Sequence, residues 1–141
     1  MLFRTRRASK ALDSRSRFAD CGDREGRTRS KRGNGAYNGI HCWLAQTDHD
    51  KRLGWVASVD KTAALKPKIV VAGHKDPNTR GDDATAILDA TRTYIQDFDR
   101  LVTKCTTPAE LIDEMMKLHG ERGNPYTLWT AAYGVSQQLQ R

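Results

Sequence analysis

Apolar residues recur at helical intervals through the second half of the chain. Between about residues 83 and 104, one face of the predicted helix is formed by Ile87, Thr91, Tyr94, Phe98, Leu101 and Cys105. Steps of three and four residues are typical of a half-buried helix, so this stripe predicts core packing.

Three further helices are predicted from start and stop signals. Thr47 or Asp48 is a candidate cap for a helix over about residues 50–65, and Pro67 ends it. The residues expected near one face of this helix are Leu53, Val56, Val59 or Asp60, and Ala63. Thr107 and Pro108 begin a helix that continues to about His119. A last helix is expected from Asn124 through about Leu139, and its inner side is predicted to include Leu128, Trp129, Ala132 and Val135.

Short strands are predicted where glycine and proline interrupt apolar runs. Two candidates lie around Ala36–Tyr37 and Ile40–Leu44, and a third, predicted to be buried, is the β-branched run Ile69–Val71. The pattern as a whole predicts an α+β fold with a mostly helical C-terminal half and a few short strands.

Positive charge is concentrated at the N-terminus. Residues 1–32 contain 11 Lys and Arg against 4 Asp and Glu, a net +7, whereas residues 33–141 contain 13 of each sign. We interpret residues 1–32 as a basic disordered arm and residues 33–141 as the folded part. The arm is compatible with a merely solvated terminus, a mitochondrial presequence, or a segment that binds RNA or another acidic partner through its phosphates or carboxylates.

Cysteine usage and hydropathy limit the class of protein. Cys21, Cys42 and Cys105 are odd in number and form no CxxC pair, so neither a disulfide framework nor a cysteine zinc site is indicated. No apolar run approaches the roughly 18–20 residues that a membrane span requires. We therefore expect a soluble, cytoplasmic chain, with mitochondrial import as the alternative.

His74 is the candidate metal ligand, because the apolar run ends in Gly73 and presents this histidine directly afterwards. The other three histidines form no HxH or HxxxH arrangement with any histidine; they are His41, His49 and His119. The Asp48-His49-Asp50 cluster is interpreted as helix capping, and His119 as a favourable charge near a helix C-terminus.

Four segments carry a resemblance to a known family: YNGIHCWLAQTD, RLGWVASVDK, LKPKIVVAGHKDP and ATRTYIQDFDRL. Together they resemble the C-terminal part of a metallo-β-lactamase-fold hydrolase, over about residues 33–141. The resemblance implies part of an αββα sandwich, zinc as the cofactor, and a small-molecule substrate whose ester, amide or similar bond is attacked by a metal-bound hydroxide. In such enzymes a glycine-histidine pair at a strand end supplies the last histidine ligand, and His74 matches it.

The resemblance also identifies what differs in this chain. Asn34 matches an aspartate that bridges two metal ions in the family, but a neutral amide oxygen is a weaker zinc ligand than a carboxylate. Tyr37 and His41 match a segment for which we predict a pocket-lining role. The family motif HxHxDH is absent from this sequence, so no catalytic residue is assigned.

The sequence is therefore compatible with two functions. We expect a truncated zinc hydrolase that is weakly active or inactive alone. The alternative is a non-catalytic interaction module that uses residues 1–32 to bind RNA or an acidic partner. The substrate and the oligomeric state stay open at this point.

Overall fold

A computed structural model of the protein describes residues 35–139. Its elements, in chain order, are β1 (Tyr37–Asn38), α1 (His49–Ala64), β2 (His74–Lys75), α2 (Ala84–Val102), α3 (Pro108–His119), α4 (Pro125–Gly134) and a 3₁₀ helix (Ser136–Gln138). The two strands form a parallel pair in which Tyr37 lies opposite His74. The predicted α+β class, with a mostly helical C-terminal half and a few short strands, is confirmed.

Helix α2 is the centre of the fold. It packs against α1, α3 and β1, and every residue of its predicted stripe is buried. The main core consists of Tyr37, Cys42, Leu44, Tyr94, Ile95, Phe98, Leu101, Val102, Cys105, Leu111, Met115, Leu128, Ala131, Ala132, Val135 and Leu139. A second cluster of apolar side chains between α1, α2 and the segment before β2 contains Ala36, Val59, Val70, Ala84, Ile87 and Leu88.

The inner face of α1 agrees with the prediction at Val59, which is buried, and at Val56 and Ala63, which pack against the core. It differs at the first turn. Leu53 is half-exposed, while its neighbour Arg52 is buried. Arg52 Nε donates to Asp99 Oδ1 at 2.7 Å, and its two Nη atoms donate to the Thr47 carbonyl at 3.0 Å and to Gln138 Oε1 at 3.1 Å. Arg52 therefore occupies a position on the inner face of α1 that hydrophobicity alone does not indicate.

The caps of α1 and α3 agree with their sequence signals. The Asp48 carboxylate accepts from the Lys51 amide at 2.8 Å, which confirms the capping interpretation of this cluster. At the start of α3, the Thr107 hydroxyl accepts from the Glu110 amide at 3.2 Å, and Glu110 Oε2 accepts from the Thr106 amide at 2.8 Å.

The last helix differs from the prediction in three respects. Asn124 precedes α4 with a left-handed φ of 57° and makes no side-chain cap hydrogen bond, a conformation that asparagine adopts more readily than most residues. The α-helix ends at Gly134 rather than near Leu139, because the chain tightens into the 3₁₀ helix. Trp129 was predicted to face inwards, but it is half-exposed.

Of the three predicted strands, the one around Ala36–Tyr37 is formed as β1, and the other two are not formed as strands. Ile40 makes an isolated parallel bridge with Gly123, and residues 41–44 are not in a strand. Of the run predicted to be buried, Val70 is buried but Ile69 and Val71 are 62% and 69% exposed, and Ile69 makes a single antiparallel bridge with Asp83. A strand is buried on both faces only when other parts of the protein pack against both of them. Residues 35–139 pack against only the side of this run that carries Val70.

The predicted N-terminal arm, residues 1–32, and Asn34 lie outside the described residues. Within residues 35–139 no helix has both the length and the hydropathy that crossing a membrane requires.

Candidate functional site

The strand pair brings Tyr37 and His74 together. Their ring centroids lie 4.7 Å apart with an interplanar angle of 20°, so the imidazole is stacked on the phenol. Tyr37 is buried and His74 is exposed. Burial raises the pKa of the Tyr37 hydroxyl, so Tyr37 is a neutral, rigid surface that limits the orientations open to the His74 ring.

The turn that follows β2 is tightly fixed against two glycines. The Asp76 amide donates to the Asn38 carbonyl at 2.9 Å, and the Thr79 amide donates to the Asp76 carbonyl at 3.0 Å. Gly39 has a φ of 71°, and a Cβ there would overlap the Thr79 hydroxyl. A Cβ at Gly123 would likewise overlap the Asp76 carboxylate. The chain on the C-terminal side of His74 thus packs closely against both glycines, and the left-handed backbone of Gly39 favours glycine there.

A positive charge next to His74 is compensated. Lys75 Nζ donates to Asp82 Oδ1 at 2.8 Å and to the Gly81 carbonyl at 3.1 Å. An uncompensated ammonium would oppose a cation bound at the neighbouring imidazole. The ion pair with Asp82 reduces that repulsion.

A buried polar cluster lies beyond β1. The His41 side chain has no exposed surface, and its Nδ1 is hydrogen-bonded to the Tyr94 hydroxyl at 3.0 Å. Burial, followed by the positive charge of Arg122 and the neighbouring His119, lowers the pKa of His41 to about 4. His41 is therefore neutral at pH 7.

Arg122 joins this cluster to the loop before α4. Its Nη1 donates to the Ile40 carbonyl at 3.1 Å and its Nη2 to the Ala90 carbonyl at 2.9 Å, while the guanidinium lies 4.8 Å from the centre of the Tyr94 ring. Two buried atoms of the cluster, His41 Nε2 and Arg122 Nε, have no hydrogen-bond partner among residues 35–139. The cluster connects three segments of the chain through hydrogen bonds. These bonds and the contact with the Tyr94 ring compensate for the burial of the charged Arg122 guanidinium.

The other two histidines each have a carboxylate partner. His49 Nδ1 lies 3.0 Å from the Asp99 carboxylate, and His119 Nε2 lies 3.0 Å from Asp97 Oδ2. Cys42 and Cys105 are free and buried, and burial raises the pKa of the Cys42 thiol to about 12. Across the described residues, no three or more His, Cys, Asp or Glu side chains are grouped so that they could hold a metal ion.

The structure places the predicted site residues in different parts of the molecule. The structure brings Tyr37 and His74 into contact. His41 is buried in the separate polar cluster, and its pocket-lining role stays a prediction. Asn34 lies outside the described residues. His119 is at the last position of α3, as the dipole interpretation requires, and it also has the carboxylate partner Asp97.

Sequence reasoning missed the roles of Tyr94 and Arg122. Tyr94 was assigned to the apolar stripe, but a buried tyrosine hydroxyl needs a partner, and His41 is the partner it has. That requirement could have linked the two residues in advance. Nothing in the sequence around Arg122 indicates that it is buried.

Comparison with models of known protein families, with curated proteins and with solved structures finds no match to this chain.

Proposed function

We propose that this chain is the C-terminal portion of a metallo-β-lactamase-fold zinc hydrolase, in which His74 is one metal ligand. By itself the chain would bind zinc weakly and hydrolyse a small-molecule substrate slowly or not at all. We further propose a cytoplasmic location, with mitochondrial import as the alternative.

One observation supports the proposal most strongly. The two segments that resemble the family most specifically, YNGIH and GHKDP, are distant in sequence but form the neighbouring strands β1 and β2. Their register puts Tyr37 opposite His74. His74 is the first residue of β2, and its ring is stacked on a buried ring and followed by a fixed turn. Such a side chain is well oriented for a ligand, since metal sites need side chains whose rotamers are held in place.

The exposed apolar residues before His74 support the same proposal. Ile69 and Val71 belong to a β-branched run, and residues 35–139 do not cover them. An αββα sandwich has a further strand or layer beside such a run, and its presence would bury both side chains.

The described residues do not by themselves fit a zinc ion. Catalytic zinc generally needs three protein ligands and a water, whereas His74 is a single ligand. In this proposal the other ligands come from outside residues 35–139, and no catalytic step is assigned to the residues described here.

Zinc titration by calorimetry, together with a panel of lactam and ester substrates, tests the proposal. We expect a dissociation constant no tighter than the micromolar range, loss of the binding heat in His74→Ala, and no effect of His49→Ala, the matched exposed control. Tight binding with turnover that His74→Ala abolishes would overturn the prediction of weak activity. Binding that His74→Ala leaves unchanged would overturn His74 as the ligand.

A second candidate function rests on the segregation of charge. Because the whole net charge of +7 belongs to residues 1–32, we propose as the alternative that this segment binds RNA or an acidic partner. RNA affinity should then fall steeply with salt. Replacing the arginines of residues 1–32 by glutamine should reduce the affinity at least tenfold, and an unchanged affinity would rule this alternative out. A reporter fused to the same residues tests mitochondrial import.

A further inference from the structure

Helix α4 is uncharged on every side. Its sequence, PYTLWTAAYG, contains no Asp, Glu, Lys or Arg. One side, formed by Thr127, Leu128, Ala131 and Ala132, is buried in the core. A helix that is apolar all round is usually buried all round, yet the other side of α4 faces solvent.

The exposed side of α4 is an aromatic ridge of three residues. Tyr126, Trp129 and Tyr133 are 68%, 50% and 48% exposed. The Tyr126 and Trp129 rings are 6.3 Å apart and stacked, and the Trp129 and Tyr133 rings are 4.4 Å apart. Between them, the Thr130 hydroxyl donates to the Tyr126 carbonyl at 2.9 Å, so this side chain does not need water as a partner.

The spacing of the ridge is that of helix pairing. The steps from Tyr126 to Trp129 and on to Tyr133 are three and four residues, which correspond to consecutive a, d and a positions of a heptad. Residues with this spacing form the seam along which two helices pack side by side. The ridge is therefore arranged to contact another helix.

An apolar groove adjoins the ridge. It has a volume of about 570 Å³ and is lined by Ile112, Met116, Pro125, Tyr126, Leu128 and Trp129. No charged side chain is among these residues, so the groove offers no ion pair to a phosphate backbone or to a charged peptide. Because Tyr126 and Trp129 belong to both features, the ridge and the groove form one continuous surface.

We propose that this surface binds a second copy of the same chain. A ridge and a groove on one face are self-complementary: rotation about a two-fold axis places the ridge of each copy in the groove of the other. Helix α4 of one protomer then packs antiparallel against α4 of its partner. The absence of charge on both features means that bringing two identical surfaces together costs no like-charge repulsion.

The area of this surface predicts a weak dimer. With roughly 200 Å² per aromatic side chain, the three exposed fractions give about 330 Å² for the ridge. The groove adds only the exposed surfaces of Ile112, Met116 and Pro125, because Tyr126 and Trp129 are already counted and Leu128 is buried. The upper limit is then about 500 Å² per copy and about 1,000 Å² for the pair, below the range of stable interfaces and in that of weak, transient ones. We therefore expect a dissociation constant in the range of tens of micromolar.

Sedimentation velocity of the full chain from 5 to 500 µM tests the proposal. The wild-type protein should shift from monomer to dimer over this range, and Trp129→Glu should weaken the dimer at least tenfold. Trp43→Glu, which changes a tryptophan of similar exposure outside the ridge and the groove, should leave the equilibrium unchanged. Tyr133→Lys is a second ridge variant, and thermal unfolding by circular dichroism verifies that each variant is folded.

Three results would overturn the proposal. The first is a wild-type protein that stays monomeric at 500 µM. The second is a dimer that neither ridge variant weakens, and the third is a dimer that Trp43→Glu weakens as strongly as Trp129→Glu does. Iodide quenching of tryptophan fluorescence, compared between the wild-type protein and Trp129→Phe, measures how accessible the Trp129 ring is. If the protein is a monomer and Trp129 is shielded from iodide, another segment of the same chain covers the surface.

Discussion

The buried imidazole of His41 makes the stability of the fold depend on pH. Burial and the neighbouring Arg122 lower the folded-state pKa of His41 to about 4, from its ordinary value of 6.5. The folded protein therefore keeps this ring neutral, and the unfolded chain binds the proton first as the pH falls. The contribution of His41 is complete above pH 6.5 and is lost progressively as the pH falls to about 4.

The magnitude follows from the size of the pKa shift. Each pKa unit corresponds to about 1.4 kcal/mol, so the shift from 6.5 to about 4 corresponds to a loss of about 3 kcal/mol of unfolding free energy. Urea unfolding followed by circular dichroism, at pH values from 7.5 to 4, measures the total loss of unfolding free energy, to which His41 contributes this amount. His41→Gln keeps a hydrogen-bonding side chain beside Tyr94 but removes the titrating group, so its stability should fall less steeply.

The difference between the two proteins isolates His41, because all other titrating groups are common to both. His49→Gln is the matched control, since it removes an exposed histidine from α1. If wild type and His41→Gln lose stability in parallel between pH 6.5 and 4, the buried ring is not the cause and the reasoning fails.

Two matched pairs of substitutions test the packing. Gly39→Ala should lower the unfolding free energy by about 1–3 kcal/mol, because the left-handed backbone and the close hydroxyl both oppose a side chain. Gly54→Ala, in the open face of α1, should raise it by up to about 1 kcal/mol; equal effects of the two would contradict this account. Arg52→Ala leaves the Asp99 carboxylate without its strongest partner and should cost about 2–4 kcal/mol, whereas Lys51→Ala should change stability by less than about 0.5 kcal/mol. Urea unfolding at pH 7 measures all four, and a small effect of Arg52→Ala would mean that the ion pair contributes little.

The helices were predictable because their signals are local. The stripe from Ile87 to Cys105 and the Thr107 cap depend on residues within one or two turns, and both have the predicted position. The burial of Arg52 on the inner face of α1 was not predictable, because it depends on Asp99, a residue 47 positions away in the sequence. Long-range ion pairs of this kind leave no periodic pattern.

The strands and the site were less predictable for a related reason. An apolar β-branched run indicates that a strand is possible, but whether Ile69 and Val71 are buried depends on what covers them. The contact between Tyr37 and His74 likewise depends on the pairing of β1 with β2, which neither segment specifies alone. The buried cluster around Arg122 was missed because its hydrogen bonds go to distant backbone carbonyls.

The central proposal is that His74 is a zinc ligand whose companion ligands come from outside the described residues. Two-dimensional NMR of the histidine rings during a zinc titration tests it most directly, because each of the four histidines reports separately. We expect the His74 ring nitrogens to shift first, at zinc concentrations in the range of tens of micromolar to millimolar. A response of another histidine while His74 stays unchanged, or no response of any histidine ring, would contradict the proposal.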